Sequence, residues 1–306
     1  MRILFLYFVL LQSSIFLFAQ DISHPFPNSQ FIKVNDLQIH YRTWKPQQAE
    51  IKGKILLIHG FCGSTFSWRK NVPALVDAGF QVWAVDVPPF GYSDRRLSVN
   101  HSPSFQAQLL WDWISIIEED SSSWYLIGHS LGGGIAGAMA VRKPEKTAGL
   151  VIMDGLLFST NNKGKGWRKW ILGSRKIQKY VELAGKFYFF RFRKMQKLLG
   201  DAYGQTPDSS AVWGYLTPLQ IKNTASGILD MLAYAEPVFY VSESEINLQT
   251  LIIWGKNDRW IPLERGKTLH KLLPKSELKI IEGGGHCPNE THVEEFNELL
   301  LRYLKN

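Results

Sequence analysis

Cysteine is nearly absent. Two thiols, Cys62 and Cys287, stand in 306 residues, too few for a small disulfide-built fold, so stability must come from a buried core. Charge is sparse as well. Asp, Glu, Lys and Arg make up 20% of the chain against 45% apolar residues, an ordinary globular balance that excludes a disordered polymer. The sequence holds no internal repeat and no low-complexity tract. Beyond the first nineteen residues no apolar run approaches the roughly 20 residues that span a bilayer, which excludes a polytopic membrane protein. No nucleic-acid recognition motif accompanies the net charge of +8, so nucleic acid is not an expected partner. Nothing points to a metal or an organic cofactor.

What is present begins with a leader-like segment. Arg2 is followed by nine apolar residues, then Gln12-Ser13-Ser14, then Ile15 to Ala19. One positive charge, an apolar stretch and a small residue before Gln20 predict a secretory signal over residues 1–19, cleaved after Ala19. Retained, the same stretch would be nearly long enough to anchor the protein in a membrane. Export to the periplasm or medium is therefore expected, or membrane anchoring if cleavage fails. An exported chain could oxidise Cys62 and Cys287; two free buried thiols is the plainer expectation.

Residues 31–34 and 37–41 alternate in polarity around Asn35-Asp36, the pattern of an antiparallel hairpin. From Lys54 the pattern changes. Residues 55–58, 82–85, 124–127, 150–153 and 251–254 are short, continuously apolar runs, as expected of parallel strands covered on both faces. Between them lie helical patterns. After Ser102-Pro103, Phe105, Leu109, Trp113 and Ile116/Ile117 recur at spacings of three and four, and Val293, Phe296, Leu299/Leu300 and Tyr303 do the same near the end. The alternation predicts an α/β fold with a doubly wound, mostly parallel sheet. It is broken once, over residues 155–245, which predict a helical cap inserted after the sixth strand. The core then comprises residues 20–154 and 246–306.

Gly128-His129-Ser130-Leu131-Gly132 follows a strand and precedes a Gly/Ala-rich helix, the setting of a G-x-S-x-G nucleophile elbow. A sharp strand-to-helix turn holds Ser130 in a strained backbone, so the positions two before and two after must be small. The helix that follows directs its N-terminus at the nucleophile and favours negative charge there. A serine hydroxyl is inert without a base held by a third group. His286, in the late loop Gly283-Gly284-Gly285-His286-Cys287-Pro288, is the expected base. Asp258, in Trp254-Gly255-Lys256-Asn257-Asp258, is the expected acid, with Asp154 at the preceding strand end as the alternative. His59 and His129 are expected to shape loops by hydrogen bonding. Two backbone N–H groups, of Phe61 and Leu131, would make the oxyanion hole.

From Lys54 onward the chain resembles the α/β-hydrolase superfamily, in its helical-cap branch of esterases, C–C hydrolases and dehalogenases. The residues that carry the resemblance are His59-Gly60-Phe61-Cys62-Gly63-Ser64, Asp86-Val87-Pro88-Pro89-Phe90-Gly91-Tyr92-Ser93-Asp94, Gly128-His129-Ser130-Leu131-Gly132-Gly133, Trp254-Gly255-Lys256-Asn257-Asp258 and Gly285-His286-Cys287-Pro288. They stand in the family's order of nucleophile, acid, base. The resemblance implies a serine hydrolase that needs no cofactor. Haloalkane dehalogenases and epoxide hydrolases of this branch use Asp where Ser130 stands, which argues against both.

The net charge is concentrated. Residues 161–197 hold twelve Lys or Arg against one acid, Glu182, and the rest of the chain is close to neutral. Trp167-Arg168-Lys169-Trp170-Ile171 and residues 186–194 interleave rings with cations. An insertion at this place would line the acyl pocket with its apolar side, and its basic side could meet anionic lipid headgroups. The expected activity is hydrolysis of a small hydrophobic carboxylic ester. The alternatives are the same triad acting on a thioester, amide or C–C bond, or a binding protein with little turnover, since a fold does not dictate its function.

Overall fold

The protein is described by a computed structural model over residues 24–47, 50–96, 101–118, 120, 122–155, 171–185, 190–234 and 246–305. The expected signal over residues 1–19 lies outside these, as do residues 156–170 and 186–189 of the basic aromatic runs.

One eight-stranded sheet organises the chain. Its strands are β1 Ser29–Val34, β2 Leu37–Trp44, β3 Gly53–Ile58, β4 Phe80–Val85, β5 Trp124–His129, β6 Thr147–Met153, β7 Thr250–Gly255 and β8 Ser276–Ile281. Their order is β1-β2-β4-β3-β5-β6-β7-β8. The hairpin turns at Asn35 and Asp36, both at positive φ (48° and 65°), which suits the right-handed twist of the paired strands. It joins β4 antiparallel, and every pairing from β3 onward is parallel.

The continuous apolar runs are explained by two cores. Leu56 and Ile58 of β3 pack into one cluster and Ile55 and Leu57 into another, on opposite faces. Helices cover both: α1 Val72–Asp77, α2 Pro103–Ile117, α3 Leu131–Arg142 and, near the C-terminus, α8 Leu263–Leu272, α9 Pro288–Thr291 and α10 Val293–Leu304. Ser102 caps α2 by accepting from the Phe105 N–H at 3.2 Å. Phe296, Leu300 and Leu304 form the buried stripe of α10. At the end of α2, Ile116 turns to solvent while Ile117 packs on the core.

Among the described residues between β6 and β7 lie the helices α4 Arg175–Ala184, α5 Phe192–Tyr203, α6 Ser209–Leu219 and α7 Thr224–Tyr234. This is the insertion the broken alternation predicts. Met195, Leu199, Ala202 and Tyr203 of α5 pack with Val212, Tyr215 and Leu216 of α6, and Cys287 from the main body joins that cluster. Among the described residues no helix is long and apolar enough to cross a membrane.

Candidate active site

Ser130 sits between β5 and α3 at φ 51°, ψ −116°, a conformation that side-chain-bearing residues rarely adopt. Its N–H donates to the Met153 carbonyl at 2.8 Å and its carbonyl accepts from the Gly133 N–H at 3.0 Å, so neighbours on both sides hold the strained turn. The flanking glycines are obligatory. A Cβ on Gly128 would lie 2.1 Å from the Gly132 oxygen, and one on Gly132 would lie 2.3 Å from the Ile58 oxygen.

His286 and Asp258 meet in the interior. His286 Nδ1 and Asp258 Oδ2 are 2.7 Å apart, both residues buried. Against a carboxylate that nitrogen donates, which leaves the Nε2 lone pair as the basic site. Asp258 Oδ1 accepts from the backbone N–H groups of Trp260 and Ile261, at 2.7 and 2.9 Å. The Trp260 ring lies 5.0 Å from the His286 ring, tilted 33°. The His286 loop is fastened from both ends. Its N–H donates to Ala202 O of α5 at 2.7 Å, and its carbonyl pairs with His129 Nε2 at 2.8 Å.

Asp154 lies beside this pair without joining it. Its Oδ1 accepts from the Gly255 N–H at 2.9 Å, and no hydrogen bond reaches the histidine. Burial, and then the Asp258 carboxylate next to it, push the Asp154 carboxyl well above the usual carboxylate range. Ligand atoms of Asp154, Asp258 and His286 lie within 4.8 Å of one another. A cation there would compete with the N–H donors that already occupy both Asp258 oxygens and Asp154 Oδ1.

The loop after β3 lies against the nucleophile. A Cβ on Gly60 would come within 3.1 Å of Ser130 Cβ, so only glycine lets this backbone approach. The next residue is Phe61. Among the described residues, its N–H and that of Leu131, the first of α3, take no hydrogen-bond partner. His59 shapes the loop as expected: its Nδ1 pairs with Gly60 O at 2.8 Å and its Nε2 accepts from the Val87 N–H at 2.9 Å.

Three positioning groups escaped the sequence reading. The buried Asp86 carboxylate accepts from the N–H groups of Thr65 (2.6 Å) and Tyr92 (2.7 Å) and pairs with His40 at 2.7 Å, binding together the loops after β3 and β4. Gly91 at φ 60° is needed beside it, since a Cβ would fall 2.0 Å from Asp86 Cγ. Glu290, four residues beyond His286 and buried, accepts from Arg69, from Tyr215 and, at 2.8 Å, from Tyr203. Trp260 donates its indole N–H to Asp201 of α5 at 2.9 Å. Only Asp86 belonged to a visible motif, which also held its partner Tyr92 but not His40 or Thr65.

Ser130 and His286 open on one cavity of about 210 Å³. Met195, Leu198, Leu199 and Ala202 of α5, Tyr215 of α6, Trp260, Phe61, Cys62 and Cys287 line it. Both thiols are free. Burial pushes Cys62 up to about 12 and drives Cys287 upward too, so neither supplies a thiolate at neutral pH.

A strained serine at a strand-to-helix turn, over a parallel sheet with a helical insertion, defines a class. The chain belongs to the alpha/beta hydrolase fold family, whose model matches residues 54–293. It is 30% identical over 254 residues to the uncharacterized hydrolase YugF of Bacillus subtilis, covering 82% of this chain and 89% of that one. It is 27% identical over 300 residues, 90% of this chain and 96% of the relative, to a 2-hydroxy-6-oxononadienedioate/2-hydroxy-6-oxononatrienedioate hydrolase of Pseudomonas putida. In three dimensions it is similar to a membrane phospholipase A described as a bacterial virulence factor, with TM-score 0.72 and 22% identity over 100% of this chain and 98% of that chain. That likeness speaks for the fold. The protein is a hydrolase of this family.

Proposed function

We propose that the protein is an exported serine hydrolase that cleaves carboxylic esters of hydrophobic acyl groups through an acyl-enzyme on Ser130. The observation that carries this reading is the cavity: Ser130 and His286 open on a space whose described lining holds no Lys, Arg, Asp or Glu. An apolar acyl chain gains by leaving water there, at about 25 cal/mol per Å² buried. A dicarboxylate, such as the Pseudomonas relative's name denotes, would find no cation among the described lining residues. Cleavage of a carbon–carbon bond is the second reading, and that relative's name is what favours it.

In the first step His286 Nε2 takes the Ser130 hydroxyl proton as Oγ bonds to the ester carbon. Negative charge moves to the carbonyl oxygen, where the N–H groups of Phe61 and Leu131 stabilise it; each such donor is worth about 100-fold or more in rate. The C–O bond breaks, His286 returns the proton to the departing alcohol, and the acyl group stays on Ser130. Water then attacks, giving its proton to His286, and the acid leaves as Ser130 regains its own. Asp258 holds the imidazole in the required tautomer and stabilises its cation.

The test is turnover of a p-nitrophenyl ester series by the mature protein, with fluorophosphonate labelling. Medium-chain esters are expected to be hydrolysed and Ser130 to carry the label. Ser130→Ala should fold normally and lose both, with activity down by several orders of magnitude. Turnover within tenfold of wild type in that variant would refute the serine mechanism. Hydrolysis of 2-hydroxy-6-oxononadienedioate without any ester turnover would establish the second reading instead.

A further inference from the structure

Helix α5 presents two chemically different sides. Met195, Leu198, Leu199 and Ala202, at spacings of three and four, line the cavity. Arg193, Lys194 and Lys197 lie elsewhere on its circumference, exposed and in no ion pair among the described residues. Arg193, Lys197 and Arg259 line a shallow open hollow on that other side, with no acid in its lining. Asp201, which lies 3.8 Å from the Arg259 guanidinium, also accepts from the Trp260 indole.

The cavity mouth is greasy. Phe61, Leu198 and Trp260 all line the cavity and yet remain 41%, 45% and 39% exposed. Helix α4 repeats the composition, with Tyr180 75% and Leu183 59% exposed beside the exposed Lys176 and Lys179. Large apolar side chains in water, interleaved with lysines that meet no acid among the described residues, are what a helix lying in a lipid interface presents. The rings and leucines enter the acyl boundary while the lysine stems reach up to phosphate.

We propose that the exposed faces of α4 and α5 dock on an anionic lipid bilayer, which would bring the Leu198 edge of the cavity to membrane-borne esters. What is delivered there rests on the ester reading above; the docking itself does not. Charge complementarity selects the occupant. A second copy of this chain would set lysine against lysine. A nucleic acid would answer the cations but leave Leu183 and Leu198 in water.

The experiment uses the Ser130→Ala protein, so that no lipid is consumed, sedimented with vesicles of phosphatidylcholine alone or mixed with phosphatidylglycerol. Binding to the mixed vesicles is expected to exceed binding to phosphatidylcholine by about tenfold or more, given the gain from each lysine or arginine near an anionic surface. It should weaken as salt shortens the screening length. Lys176→Gln, Lys179→Gln, Lys194→Gln and Lys197→Gln together should remove most of this binding. With Ser130 restored, the same four changes should leave turnover of dissolved p-nitrophenyl butyrate unaltered, which also shows that the variant folds. Equal partitioning onto both vesicle types at low salt would overturn the proposal, as would full binding by the quadruple variant. Self-association without vesicles, lost on the same substitutions, would assign the surface to a second copy and equally overturn it. Vesicle binding with no ester turnover would sink the ester reading alone.

Discussion

Two buried aspartates stand side by side, and their hydrogen bonds separate their roles. Asp258 accepts two backbone N–H groups on one oxygen and His286 on the other, whereas Asp154 is raised by burial and by its charged neighbour. A neutral amide can replace a neutral carboxyl but not the anion that orients a histidine. Asp258→Asn should therefore lower kcat by about three to four orders of magnitude, while Asp154→Asn stays within about tenfold of wild type; the opposite ranking would make Asp154 the acid. Linkage adds a pH signature. Because the folded value of Asp154 lies above the unfolded 3.8, the folded state holds the proton more tightly. The stability this confers is complete below about pH 4 and is lost as pH rises toward the folded value. Asp154→Asn removes that loss, so its melting temperature should gain on wild type as pH rises above about 4 toward the folded value. A difference independent of pH would show that Asp154 is ionised in the folded protein.

At the scale of elements, the insertion and the main body are joined through polar groups as well as apolar packing. Glu290 of α9 gathers Arg69 from the main body and Tyr203 and Tyr215 from α5 and α6. Arg95 reaches the other way, donating to Pro218 O at 2.9 Å and Thr224 Oγ1 at 2.6 Å. Tyr215 also lines the cavity and Ala202 O holds the His286 backbone, so the seating of α5 and α6 bears on both pocket shape and base position. Glu290→Ala leaves the Arg69 guanidinium without its carboxylate and two buried hydroxyls without acceptors. Losing one partner of such a pair costs about 3–5 kcal/mol. Denaturant unfolding should show that loss, and a change under about 1 kcal/mol would mean that apolar packing alone seats the insertion.

On the scale of the whole molecule, charge and hydrophobicity are segregated along the chain. The cations of residues 161–197 fall in the inserted segment, and the one leader-like apolar run falls at the N-terminus. If residues 1–19 direct export, the mature protein should begin at Gln20 or a residue or two beyond. Intact-mass measurement of the exported protein reads this directly. An uncleaved Met1 recovered in the membrane fraction would indicate an anchor instead.

The sequence by itself determined what depends on near neighbours. Strand runs apolar on both faces, the Ser102 cap, the Asn35-Asp36 turn and the Gly128/Gly132 spacing each follow from forces acting within a few residues. Local pattern also nominated Ser130, His286 and Asp258, each set in its own strand-end loop, and left Asp154 as the alternative acid. The tertiary structure alone shows that Asp258 rather than Asp154 meets His286, because that contact depends on how two loops 28 residues apart pack together. It alone brought Glu290 to Arg69, 221 residues away in sequence, and to Tyr215, 75 away. Composition told that the insertion is basic and aromatic. Only the packed helices show which of its apolar residues line the cavity and which stand in water, because that division is made by the surfaces they meet.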